Sequence, residues 1–200
     1  MNTFLKLNLR KIRFAYIVSV VSLLSFTAII LLIAYLQGHH PYKELLAAIL
    51  FTDIFVSPIL IISIGYFIWT INRFKRNQAF LNAPFDKLDE IGFQISLKNE
   101  KTKWHFTEEV KEAIINGFQV QCDVIIDNGK YFEFEMLNTF KQIDSNEYHR
   151  LEKLLSEYSG YFKFDTVAKR YQISKADKLN VRDIKIELQQ FTIMLKQEGF

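Results

Sequence analysis

Leu45 to Ile71 reads LLAAILFTDIFVSPILIISIGYFIWTI, a run whose single charged side chain is Asp53. An earlier run, Phe14 to Leu36, reads FAYIVSVVSLLSFTAIILLIAYL and carries no charge at all. Each exceeds the ~20 residues that an α-helix needs to cross ~30 Å of hydrocarbon. A core helix of a soluble domain keeps a polar face over such a length. The two runs therefore predict a membrane α-helical hairpin, two transmembrane helices, followed by a soluble α+β domain. The first run is too long for the apolar region of a secretory leader, and no small-residue cleavage site follows in IAYLQGHH.

Charge divides the chain at the same place. Residues 1–76 hold 8 Lys/Arg against 2 Asp/Glu, and residues 77–200 hold 17 against 20, so the overall +3 averages a basic part and an acidic one. The pI near 8.8 thus comes from the flanks of the apolar runs and gives no reason to expect nucleic-acid binding. Arg10, Lys11 and Arg13 precede the first run and Arg73, Lys75 and Arg76 follow the second, while the connecting QGHHPYKE balances Lys43 with Glu44. This asymmetry predicts both termini in the cytoplasm and a basic surface facing lipid headgroups, a bacterial inner membrane being the expected setting. The expected divisions are a basic segment 1–13, helix 14–36, external loop 37–44, helix 45–71, basic connector 72–84 and cytoplasmic domain 85–200. Tyr16, Tyr35, Tyr42, Tyr66 and Trp69 fall near the boundaries, where amphipathic rings anchor a span.

Asp53 lies inside the hydrocarbon on this reading, roughly 7 to 8 Å along the axis from the helix centre near Pro58. A carboxylate there costs ~2.5 to 3.5 kcal/mol and is expected to be protonated, hydrogen-bonded or turned toward protein. Asp53 and Ser57 share one helix face, and an antiparallel hairpin brings Ser25 and Thr27 to the same depth, which predicts an intramembrane polar contact among these four. Pro58 has no N–H for the carbonyl of Ile54, so a free acceptor and a kink are expected beside that contact.

Beyond Asn77 the pattern becomes ordinary soluble alternation. It predicts a helix Phe85 to Ile91 stopped by Gly92, a strand over FQISL, and a second helix that Thr107 caps, with Glu108 and Glu109 in its first turn and its end at Gly117. FQVQCDVII is then a strand, with a hairpin turn at Asp127, Asn128 and Gly129. Asp144 and Glu147 are spaced like a capping box for a helix that Gly160 ends, and YFKFDTVAKRYQI forms a further hairpin. A last helix opens at Asn180 and buries Ile184, Ile186, Leu188, Phe191, Ile193, Met194 and Leu195.

Chemistry is hard to find along the chain. There is no Walker loop, dinucleotide fingerprint, kinase signature or nucleophile elbow. His39 and His40 sit in the external turn, His105 in an expected strand and His149 on a helix, without the spacing of a helical metal site. The lone Cys122 alternates within a strand and reads as a buried thiol. No catalytic, cofactor or metal residues are expected, and the chain reads as a non-enzyme. The expected function is a membrane-anchored module that presents a small α+β domain to a protein partner, as a toxin-immunity or regulatory protein does. The alternative is an oligomeric channel or transport accessory that uses Asp53 in a polar seam. Expected partners are membrane lipids, one protein, and a second copy of the chain.

Overall fold

The computed structural model describes residues 3–38, 42–125, 131–139, 141, 143–172 and 179–200. The chain forms two compact units, Met1–Ile71 with Asn99–Glu108, and Asn72–Lys98 with Glu109–Phe200.

The first unit is built on helix α1, Thr3–Leu36, and on α2, Lys43–Phe51, which continues through a π-helical turn, Thr52–Val56, into α3, Ser57–Ala79, of which the part up to Ile71 belongs to this unit. These are two helices long and apolar enough to cross a membrane. The most apolar window of α1 is 0% buried and that of the second helix 11%. Ile17, Val21, Phe26, Ile29, Ile59, Ile64 and Phe67 all turn outward. That is the reverse of a core helix, which hides its apolar side chains against protein. Just before Pro58 the helix makes a π turn, in which the Ser57 N–H bonds the carbonyl of Thr52. Of the tight turn expected at Gly38 and Pro41, Gly38 follows α1 with φ 80, and residues 39–41 lie outside the described residues.

Among the described residues of the second unit, six strands form one antiparallel sheet: β1 Gln94–Lys98, β2 Glu108–Ile115, β3 Phe118–Val124, β4 Tyr131–Leu137, β5 Gly160–Lys163 and β6 Thr166–Gln172. Their order is β1-β2-β3-β4-β6-β5. A 3-10 helix, Phe85–Ile91, precedes the sheet; α4, Ser145–Glu157, lies between β4 and β5, and α5, Val181–Gln197, closes the chain. Alternate residues Phe118, Val120, Cys122 and Val124 of β3 and Phe132, Phe134 and Met136 of β4 form one core with Phe85 and Leu88 and with Ile184, Leu188, Phe191 and Leu195 of α5. Phe132 stacks on Phe85 at 3.6 Å between centroids, and Phe134 meets Phe93 and Tyr171 edge-on.

Four expectations are corrected here. Residues 108–115 are a strand, not a helix. Asn116 (φ 50) and Gly117 (φ 87) make a two-residue turn that pairs Ile115 with Phe118. An Asn-Gly pair with both φ positive is the hairpin connection that suits strand twist. A glycine of positive φ also ends helices, so the same residue fitted both readings, and pairing with β3 overrides the helix-forming EEVKEA. His105 accordingly lies in the loop before β2 rather than in a strand. At the end of α4 the left-handed residue is Ser159 (φ 58), and Gly160 instead opens β5, where a Cβ would lie 2.7 Å from the Phe191 ring. On α5, Ile186 and Ile193 are exposed while the other five named residues are buried.

The remaining caps follow the sequence. Asp144 accepts from the Glu147 N–H, although the Glu147 carboxylate turns to Lys141, and Asn180 with Asp183 forms the full reciprocal capping box of α5. β3 and β4 pair antiparallel from Val124↔Phe132 onward, and the expected turn at 127–129 between them lies outside the described residues.

Replacing Phe134 by Ala is expected to destabilise this core by ~3 to 5 kcal/mol, the usual cost of emptying a buried aromatic site. Phe164→Ala, at a side chain 98% exposed, is expected to stay within about 0.5 kcal/mol. Near-UV circular dichroism during urea unfolding measures both.

Candidate functional site

Three groups of polar contacts stand out, the first between α1 and the π turn. Asp53 is buried, and its Oδ2 accepts from the Thr27 hydroxyl at 2.5 Å. The carbonyl of Ile54, which Pro58 cannot bond, accepts from the Tyr16 hydroxyl at 2.8 Å. Tyr16 was expected at a membrane boundary, and nothing in its neighbourhood along the chain signals this reach to Ile54. Ser25 lies apart from Asp53, exposed and bonded to the carbonyl of Val21 four residues back, while Ser57 follows the π turn, half-buried. The pair Thr27–Asp53 and the pair Tyr16–Ile54 thus fasten two apolar helices by polar groups that each find a partner, the requirement for such groups away from water.

The second group gathers the β1–β2 loop onto the first turns of α1 and the last apolar turns of α3. Lys11 is buried, and its Nζ donates to the carbonyls of Asn99 and His105, the latter at 2.8 Å. Asn8 Oδ1 accepts from the Thr107 N–H at 2.7 Å, and Trp69 Nε1 donates to the Thr107 carbonyl at 3.0 Å. The Phe4 ring meets Tyr66, Trp69 and Phe106 within 4.9 to 5.1 Å. Gly65 permits this approach, because a Cβ there would lie 2.8 Å from the Phe106 ring. Trp69, expected as an interfacial anchor, is instead held by protein.

The third group belongs to the sheet unit. Arg76 is buried and binds Asp123 with Nε at 2.7 Å, and Lys98 reaches the same carboxylate at 3.1 Å. Burial opposes the charge on Asp123, but Lys98 and Arg76 together hold its carboxyl below the usual range. Arg73 pairs with Glu109 at 2.8 Å. Of the six basic residues expected at a membrane surface, Arg10, Arg13 and Lys75 are exposed, whereas Lys11 and Arg76 spend their charge on protein oxygens and Arg73 is half-buried in its pair.

Elsewhere on the sheet, Glu133 accepts from Tyr161 and Lys163, and Lys163 also reaches Glu135 at 2.6 Å. On the core face, Lys169 donates to the carbonyl of Tyr158 at 2.6 Å and lies 3.2 Å from Glu187, which also receives the Tyr171 hydroxyl. Burial lowers the pKa of Lys169 and Glu187 opposes the shift. The Cys122 thiol is fully buried, and burial pushes its pKa up, away from the thiolate that nucleophilic chemistry requires. Among the described residues no three His, Cys, Asp or Glu side chains are grouped to hold a metal ion. No protein-family model, curated protein or solved structure matches the chain.

Two outcomes test these contacts. Asp53→Asn keeps an acceptor for Thr27 and is expected to be tolerated, while Asp53→Leu is expected to weaken the helix pair by about 1 kcal/mol, the scale of hydrogen bonds between membrane helices. Crosslinking efficiency between cysteines placed on the two helices reads the difference. Asp123→Asn is expected to cost about 3 kcal/mol at neutral pH, because it leaves Arg76 buried without its counter-charge. A depressed carboxylate pKa stabilises the fold above the unfolded value of about 4, and this contribution is lost as pH falls through the folded value. The gap between wild type and variant is therefore expected to close in acid, as unfolding titrations from pH 7 to pH 3 will measure.

Proposed function

We propose that the chain is a two-span membrane protein with both termini in the cytoplasm, and that its sheet unit is a binding module for a protein partner on that side. Several features support the spanning part. The apolar windows of both helices face outward, and Lys6, Arg10 and Arg13 on one flank and Arg73, Lys75 and Arg76 on the other outweigh the single Lys43 of the connection. Cytoplasmic flanks carry this excess of cations in membrane proteins.

The observation that carries the binding part is the free edge of the sheet. Strand β1 is at one end of the strand order, and Leu81, Ile95 and Ile114 beside it are 70 to 79% exposed. They line two adjoining grooves that share Ile95. Soluble proteins protect or charge a free strand edge, and an apolar one invites another chain to pair with it. The ionisable groups of the sheet are each engaged with protein, Asp123 by Arg76 and Lys98, Glu133 by Tyr161 and Lys163, and Lys169 by the Tyr158 carbonyl and Glu187, which favours binding over catalysis. Asp53, occupied by Thr27, favours a fastening role over a channel lining. An immunity or regulatory role is the form such a module takes.

A photo-crosslinking amino acid at Ile95 in the full-length chain is expected to give one discrete adduct in cells, lost when Ile114 is replaced by Lys, while the same probe at exposed Ser156 of α4 gives none. Equal, diffuse labelling at both positions, or turnover of a substrate by the purified chain, would overturn the reading.

A further inference from the structure

The loop between β1 and β2 carries a large apolar side chain that the fold leaves mostly uncovered. Trp104 is 74% exposed, although its indole is the largest apolar surface in the loop. It meets the Phe14 ring edge-on, at 5.0 Å between centroids. Phe14 is the first residue of the uncharged run that ends at Leu36, so Trp104 stands at the boundary where charge stops along α1. The level of the loop on α1 is fixed by the bonds of Lys11 to Asn99 and His105 and of Asn8 to Thr107. Lys101 and Lys103 flank the indole and are exposed, with Lys103 Nζ 5.7 Å from the centre of the Phe14 ring, and Arg10 and Arg13 are exposed on the adjoining turns of α1. Glu100 is the acidic member of the loop, outnumbered by these cations.

We infer that this loop is an interfacial foot, with Trp104 seated in the headgroup layer of an anionic bilayer and Lys101 and Lys103 against the lipid phosphates. The inference rests on the spanning reading of α1. A tryptophan at the end of an apolar helix prefers this layer because one side of its ring is apolar and its N–H stays wet. Cations beside it gain from the negative surface potential of anionic lipid, an attraction that salt screens. Trp69 is buried beneath the same loop and bonded to Thr107. The two tryptophans thus divide the work, one fixing the loop to the helices and the other meeting lipid.

The full chain reconstituted into vesicles of phosphatidylglycerol and phosphatidylcholine tests this. Fluorescence lost on Trp104→Phe substitution is the Trp104 component. It is expected to be quenched about twofold or more by lipids brominated near the headgroup, to resist aqueous acrylamide, and to shift to the red in pure phosphatidylcholine, as an interfacial ring does. Lys101→Gln with Lys103→Gln is expected to abolish that dependence on anionic lipid. A fluorophore on a cysteine at Ile29 is the companion measurement. If bromolipid quenches the Ile29 probe while acrylamide alone quenches Trp104, the foot is wrong and the spanning reading stands. If bromolipid quenches neither, both fail.

Discussion

On the proposed spanning reading, lipid over the apolar helix surfaces leaves a polar group there no water to bond, and this constraint bears on the polar groups of both long helices. Three hydroxyls on the outward-facing helices bond a carbonyl four residues back: Ser25 on Val21, Thr52 on Ala48 and Thr70 on Tyr66. Thr27 and Tyr16 bond across to Asp53 and Ile54. Such back-bonding is neutral or slightly costly for a helix in water, but it becomes the favoured state where the alternative is an unsatisfied group in hydrocarbon. The π turn belongs to the same economy, since it rearranges the backbone at the one place where Pro58 removes a donor.

The basic residues obey a related logic. A cation next to an apolar run can remain exposed or be satisfied by protein, and both solutions occur within single turns. Arg10 and Arg13 are exposed, while Lys11 between them is buried on two loop carbonyls. Lys75 is exposed, while Arg76 beside it neutralises Asp123. Counting Lys and Arg therefore gives no account of which ones are available. On a helix, neighbours in sequence point about 100° apart, so adjacent cations meet different surroundings.

How far the sequence can be read follows from the range of the interactions. The apolar helices are legible because length and absence of charge are local properties, and so are Asn180 and Asp144, whose caps close within three residues. Thr27 is named by depth alone, which an antiparallel hairpin fixes. Tyr16 is not, because its partner depends on side-chain reach across two helices. Glu108 to Ile115 shows the other limit. The Asn116–Gly117 turn was present as a hairpin signal, but EEVKEA and a cap-like Thr107 spelled a helix with equal local force, and only pairing with β3 decides. The Lys11, Asn8 and Trp69 contacts with residues 99–107 span 38 to 99 positions of chain, beyond any pattern read along it.

The central claim is that lipid covers what protein leaves bare on α1. Val21 and Ala28 are exposed, so a cysteine at either is open to reagent unless something outside the chain shields it. Single cysteines at Lys6, Val21, Ala28 and Gln37, treated in intact cells with a membrane-impermeant maleimide, test this directly. The account predicts labelling at Gln37, labelling at Lys6 only after permeabilisation, and none at Val21 or Ala28 in either case. Equal labelling at Ala28 and Gln37 would contradict it.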